Sequence, residues 1–234
     1  MEPTSCVVLV PVATSVEPEC EAALHVLEQR GYEVRRTLGY SAIDLARNHM
    51  AHDALESGFD ELMWIDSDIG FDPDAVEMLR AHALPIACGV YTKRGGNAIA
   101  ANLLPPARRI MFGALGGLVE ILYGATGFLH TRAEVYHTIR DKLALPTCNQ
   151  RYGRPFVPYF LPSVVPDPDI VPVGSAHRYF GEDFAFQDRA RKCGFRVMAD
   201  TRIRLRHFGR YVYQWEDAGG AVKRYASYDL TTPE

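Results

Sequence analysis

The sequence predicts an α/β protein with a doubly wound, mostly parallel sheet and a smaller mixed or antiparallel extension. Three observations carry that expectation. The chain opens with an unbroken β-branched run, CVVLVPV at Cys6 to Val12, which suits a strand covered on both faces. Helical and strand-like segments then alternate through short links. The third strand-like run, ELMWIDSD, ends in two carboxylates, at the end of a strand where open α/β sheets bind ligands.

The elements follow in order. From Pro18 to Arg30, Ala22, Ala23, Val26 and Leu27 recur at helical spacing, and Gly31 sits at the C-terminal cap position. A short strand is expected over Glu33 to Thr37. Ser41 is a possible cap for a helix from about Ala42 to Ser57, closed by Gly58. After ELMWIDSD comes a helix started by Pro73 and running to about His82, then a strand from Ile86 to Tyr91. Past Tyr91 the rhythm breaks. Gly95-Gly96, Pro105-Pro106, Gly113, Gly116 and Gly117 punctuate short apolar pieces that read as antiparallel strands and turns. A helix over about Arg132 to Leu143 precedes seven prolines between Pro146 and Pro172. Their interleaving with Tyr152, Phe156, Tyr159 and Phe160 favours an ordered loop covering a site over a floppy linker. A last helix, Glu182 to Cys193, ends at Gly194, and FRVMAD follows as a strand.

Composition narrows the function. A chain of 234 residues fits one domain, and 47% hydrophobic with 23% charged residues leaves ample core and no bias to disorder. With 25 basic against 29 acidic residues and no basic run beyond a pair, a nucleic-acid partner is disfavoured. Five scattered cysteines without a C-x-x-C pair exclude a disulfide framework and a zinc ribbon, and they suit a reducing, cytoplasmic setting. No basic n-region precedes the first apolar run, and no stretch approaches the roughly 20 apolar residues of a membrane span.

The strongest chemical signal is Asp66-Ser67-Asp68. Side chains two apart on a strand share a face, so the pair can hold a divalent cation and a polar ligand group together. The same pattern also arises at turns that cap a following helix. Haloacid-dehalogenase-type phosphatases carry a related pair, but on the first strand and with Thr or Val where this chain has Gly70. Glu182 and Asp183 open a helix, where the macrodipole favours acids whatever the function. The helix end lowers a carboxylate's pKa, and burial among Phe180, Phe184 and Phe186 raises it again. His49 and His52, spaced i, i+3, lack a carboxylate-rich strand end and are disfavoured as a metal pair.

Taken in order, Ala46-Arg47-Asn48, Asp66-Ser67-Asp68, Ala125-Thr126-Gly127-Phe128, Gly181-Glu182-Asp183-Phe184 and His207-Phe208-Gly209 resemble a GT-A-fold, nucleotide-sugar-dependent glycosyltransferase over about Val7 to Tyr213. The resemblance implies a GT-A-like single domain: a nucleotide-binding half (1–94), an acceptor and catalytic half (95–214) containing a Pro-rich loop (146–180), and a C-terminal tail (215–234). It implies Mn²⁺ or Mg²⁺ at Asp66, Asp68 and His207, with Asp68 the direct ligand and Asp66 the ribose or water-mediated partner. An imidazole ligand tilts the choice to Mn²⁺. It also implies an acid at the acceptor hydroxyl, read as Asp183, with Glu182 the alternative base or a clamp on the acceptor.

Donor contacts are expected from Pro11 and Thr14 after the first strand, from Ser67, and from the cations Arg47, Lys93 and Arg94, which equally suit a solvated surface. The sugar-reading part is expected around Ala125 to Phe128 and in the Pro-rich loop. The donor the resemblance implies is a UDP- or GDP-sugar; the ARN and DSDI spacing looks somewhat like mannosyltransferases of mannan assembly, a slight tilt to GDP-mannose. The acceptor is a carbohydrate, lipid-linked or protein hydroxyl. A nucleotidyltransferase and a non-catalytic nucleotide-sugar binder are the competing readings. The first lacks its usual glycine-rich basic loop between Pro11 and Pro18.

Overall fold

The computed structural model describes residues 2–95, 98–209, 211–218 and 227–232. Its main sheet has eight strands, in the order β2-β1-β3-β9-β5-β12-β8-β6. They are β1 (Cys6–Val12), β2 (Glu33–Leu38), β3 (Glu61–Ile65), β5 (Ile86–Cys88), β6 (Ala101–Leu103), β8 (Leu118–Gly124), β9 (Phe128–Arg132) and β12 (Val197–Asp200). Three two-stranded sheets flank it. β4 (Ile69–Gly70) pairs with β13 (Arg206–His207), β10 (Ser163–Pro166) with β11 (His177–Phe180), and β7 (Arg109–Gly113) with β14 (Ser227–Thr231).

Every residue of β1 is buried, because the strand is covered on both faces. Cys6, Val8 and Val10 enter one apolar core, and Val7 and Leu9 enter another, as period-two alternation dictates. Helices α1 (Pro18–Gln29) and α3 (Asp74–Ala81) cover the first face through Cys20, Leu24, Leu27, Val76 and Leu79. Helices α2 (Ile43–Glu56), α4 (Ala133–Lys142) and α5 (Glu182–Lys192) cover the second through Met50, Tyr136, Ile139 and Phe186. Gly31, at φ +93°, and Gly194, at φ +97°, end α1 and α5 in the left-handed conformation that glycine adopts without strain.

The α/β class stands, but the sheet is mixed where a mostly parallel one was expected. Among its seven neighbouring pairs, β2–β1, β1–β3 and β5–β12 are parallel, and the other four are antiparallel. Two of the four are made by β9, which inserts between β3 and β5 running against both, and two by β8, which runs against β12 and β6. β9 pairs there through Phe128 to Arg132, a run whose apolar residues alone do not reveal its direction.

Three local expectations shift as well. Ser41 does not cap α2; Ala42 stands at that position, without a side-chain cap. The strand from Ile86 stops at Cys88, and Gly89, whose N–H still donates to the Phe128 carbonyl at 3.0 Å, passes under Leu205, where an added Cβ would lie 2.6 Å from a methyl carbon. The Pro-rich segment is ordered. Phe156, Val157, Tyr159 and Phe160 are buried, Phe160 packs on Trp64, and the Phe160 N–H donates to Asn48 Oδ1 at 2.8 Å. The stretch expected as a tail begins with a short helix, α6 (Trp215–Ala218), whose Trp215 stacks on Phe112, and it includes β14. Residues 219–226 and 233–234 of that stretch lie outside the described residues. No helix of the described residues is long and apolar enough to cross a membrane.

Candidate functional site

Strand β3 delivers Asp66 from a fully buried apolar stretch, and the chain turns at once, with the Ile69 N–H donating to the Asp66 carbonyl at 3.1 Å. Period-two alternation therefore stops at Ile65, and the two carboxylates of Asp66-Ser67-Asp68 part company. Asp66 Oδ1 accepts from Arg47 at 2.7 Å. Asp68 Oδ2 instead faces Arg94 Nη2 at 3.0 Å and His207 Nε2 at 3.6 Å.

His207 reaches Asp68 through strand pairing. In the antiparallel β4–β13 pair His207 stands opposite Ile69, and the Phe208 N–H donates to the Asp68 carbonyl at 2.8 Å. His207 Nδ1 lies 2.8 Å from the Thr92 carbonyl oxygen, which can only accept, so Nδ1 carries a proton and the Nε2 edge of the ring is turned to the Asp68 side. Tyr91 packs edge-on against the same imidazole, with ring centroids 5.1 Å apart. Burial acts to raise the Asp68 carboxyl, but His207 and Arg94 outweigh it and hold the group below its ordinary value.

Arg47, on α2, is 1% exposed, and its guanidinium lies over Trp64 at 5.6 Å. Its Nε is 3.7 Å from Glu182 Oε1, and Nε and Nη1 have no hydrogen-bond partner among the described residues. Burial opposes its charge, but Asp66, Glu182 and Asp183 outweigh that and keep it protonated. Gly181 stands at the N-cap of α5, with Glu182 and Asp183 in its first turn. Burial, then the charge of Asp183, pushes Glu182 up to about 7 against the opposing pull of Arg47.

A cleft of about 410 Å³ joins these parts. Lys93, Arg94 and His207 line it together with Asp183 and Phe184; Tyr91, Tyr179, Gly181, Ala100 and Ala125 complete it. Of the residues singled out in the sequence, Asp183, Lys93, Arg94 and His207 thus share one cavity, with Asp68 against Arg94 and His207. Asp66 and Glu182, both half-buried, form an adjoining charge cluster around the buried Arg47. Pro11 is buried in β1 opposite Thr37, and Thr14 is exposed; neither lines the cleft. The Ser67 carbonyl accepts from the Glu17 N–H at 2.8 Å, tying the loop after β1 to the turn after β3.

Sequence reasoning missed Tyr91, Thr92 and Tyr179. Tyr91 closes the last apolar run before the glycines, the one signal that could have flagged it. Tyr91 Oη accepts from the Gly127 N–H at 3.1 Å, and the Asp66 N–H donates to the Gly127 carbonyl at 3.0 Å. A Cβ on Gly127 would collide with Tyr91 Oη and come within 2.8 Å of Asp66 Oδ2. Ala125-Thr126-Gly127-Phe128 therefore buttresses the end of β3, and its glycine is there for close approach.

Two residues of the set fit a divalent ion. Ligands about 2.1 Å from one ion stand about 3.0 to 3.4 Å apart between right-angle and tetrahedral geometry, close to the separation of Asp68 and His207. The Thr92 carbonyl holds the imidazole as an outer-shell partner of a metal ligand does. Asp66 is turned to Arg47 instead, and among the described residues no three His, Cys, Asp or Glu side chains gather as a metal cluster. Further coordination would have to come from substrate oxygens or water.

No family profile matches this sequence, and no curated protein does. The fold has a counterpart among solved structures. A197 from STIV aligns over 98% of this chain and 94% of its own, with a TM-score of 0.57 and 15% identity, a likeness of fold alone. A UDP-glucose pyrophosphorylase complexed with UDP-glucose aligns over 93% of this chain and 81% of its own, at 9% identity. Its TM-score of 0.38 is too low to carry an argument.

Proposed function

We propose that this protein is a metal-dependent glycosyltransferase that moves a sugar from a nucleotide-sugar to an acceptor hydroxyl with inversion. One observation carries the reading. A single cleft holds a carboxylate at a helix start, Asp183, together with two cations, Lys93 and Arg94, and His207, behind whose Nε2 Asp68 stands at 3.6 Å. Glycosyl transfer needs that division of labour: a group that takes a proton, and positive charge where a diphosphate departs.

Asp68 and His207 would hold Mn²⁺ or Mg²⁺, which supplies Lewis-acid neutralisation of the charge on the departing nucleoside diphosphate. Lys93 and Arg94 bind and orient that diphosphate. Asp183 accepts the proton of the acceptor hydroxyl as its oxygen attacks the anomeric carbon. Glu182, raised by burial and by the charge of Asp183, is a weaker acid than an ordinary glutamate and stands beside Asp183 at the same helix start. Arg47 orients Asp66 and Glu182 rather than touching the donor. Residues 1–94 serve as the nucleotide-binding half, and 95–214 as the acceptor and catalytic half.

The test is a panel of UDP- and GDP-sugars, with and without Mn²⁺, read by thermal shift. A ligand at 100 times its dissociation constant adds about 2.7 kcal/mol to the native state. Stabilisation by one donor that requires Mn²⁺ is expected, followed by release of its nucleoside diphosphate when an acceptor is supplied. A panel in which no donor shifts the melting temperature, with or without Mn²⁺, sinks the reading.

A further inference from the structure

Asp68 Oδ2 serves two partners at once. It is 3.6 Å from the Nε2 of His207, which faces it as a potential ligand, and 3.0 Å from Nη2 of Arg94. A divalent ion between Asp68 and His207 would claim the same oxygen that the guanidinium holds. The ion also brings positive charge to a position already covered by a cation. Arg94 and the ion therefore compete for one carboxylate.

Arg94 reaches Asp68 from the surface. Its side chain is 54% exposed, and its aliphatic stem rests on Gly209, where a Cβ would stand 3.0 Å from Arg94 Cδ. It lines the cleft beside Lys93, so a dianionic group in that cleft offers the guanidinium a second partner. The backbone that carries Arg94 also tunes the candidate ligand: the Thr92 carbonyl accepts from His207 Nδ1 and Tyr91 packs on its ring. One short segment, Tyr91 to Arg94, thus orients one candidate ligand and neutralises the other.

We propose that Arg94 is an internal counter-ion that covers the Asp68 end of the cation site until an anionic donor draws it away, so that divalent ion and diphosphate bind cooperatively. The inference rests on the metal reading above and adds to it a named coupling residue. The coupling is reciprocal, as linkage requires: the diphosphate relieves the competition, and the ion releases Arg94 for the diphosphate. An exposed ion pair is worth about 0.2 to 1 kcal/mol, so its removal should change ion affinity by about 1.4- to 5-fold.

The experiment titrates Mn²⁺ into the full chain, followed by electron paramagnetic resonance of the free ion, alone and with saturating UDP or GDP. Wild type should bind Mn²⁺ more tightly when the nucleotide that fits is present. Arg94→Met should bind Mn²⁺ alone up to about five-fold more tightly than wild type, lose most of the enhancement by nucleotide, and bind the nucleotide itself more weakly. Asp68→Asn separates the two layers of the argument. If Asp68→Asn abolishes Mn²⁺ binding but Arg94→Met leaves affinity and enhancement at wild-type values, the counter-ion role is overturned and the metal site stands. If Mn²⁺ binding is absent, or survives Asp68→Asn unchanged, the metal reading falls and the counter-ion role falls with it.

Discussion

Strand β3 begins and ends in charge, and its two ends are built differently. At the start, Glu61 is 5% exposed, with both oxygens occupied: Oε2 accepts from Arg80 Nε at 2.9 Å and from His130 at 2.7 Å, and Oε1 from Arg80 Nη2 at 3.1 Å. Arg80, 0% exposed, spends its remaining donors on Tyr32 Oη and the Glu2 carbonyl. At the end, among the described residues, Arg47 makes one hydrogen bond, to Asp66, and its Nε and Nη1 make none. Asp68 is divided between two loose partners, and Glu182 is raised to about 7. In this first cluster His130 Nδ1 is the one side-chain atom without a hydrogen-bond partner among the described residues, and no member of it lines the cleft, which suits a structural device. Under-satisfied charge with an upshifted acid beside a cleft is the pattern a binding site presents.

The largest expected effect lies in the chemistry of the second cluster. Asp183→Asn keeps size and hydrogen bonding but removes the basic lone pair, so turnover should fall by about 10² to 10⁴ with donor affinity nearly unchanged. Retention at the anomeric carbon, or an active Asp183→Asn protein, would withdraw the assignment in favour of Glu182 or the leaving phosphate.

Stability should separate the two ends next. Glu61→Ala strands a fully buried guanidinium and should cost about 3 to 5 kcal/mol in urea unfolding. Asp68→Ala should cost about 1 kcal/mol or less, while abolishing metal-dependent donor binding. Equal losses at the two ends would erase the distinction between them.

The pH dependence sharpens the comparison with a smaller effect of opposite sign. Burial acts to raise Glu61, but the hydrogen bonds from His130 and Arg80 outweigh it and hold the carboxyl well below its ordinary value. The first cluster therefore stabilises the fold above about pH 4.5, and that contribution is lost on further acidification. Glu182 is shifted the other way, so its contribution is complete below its ordinary value of 4.5 and is lost as pH rises through about 7. Screening at this partly exposed group limits the slope to about 1 to 3 kcal/mol overall. Glu182→Gln should flatten unfolding free energy between pH 5 and about 8 and leave the acid limb in place; an unchanged slope would remove Glu182 as its source.

What the sequence determined was whatever short-range chemistry controls. The β-branched run of β1, the glycines that end α1 and α5, the acids that open α5 and the carboxylates at the end of β3 were all legible, because periodicity and capping act within a few residues. The turn at Asp66–Ile69 was not legible from Asp-x-Asp spacing, and it undid the inference that both carboxylates share a face. Tertiary structure decided the rest. The insertion of β9 between β3 and β5, the register that sets His207 opposite Ile69, the burial of Arg47 over Trp64 and the occupation of Asp68 by Arg94 all join residues 17 or more positions apart. Strand order and charge pairing are fixed by which distant surfaces exclude water together, and no local pattern encodes that choice.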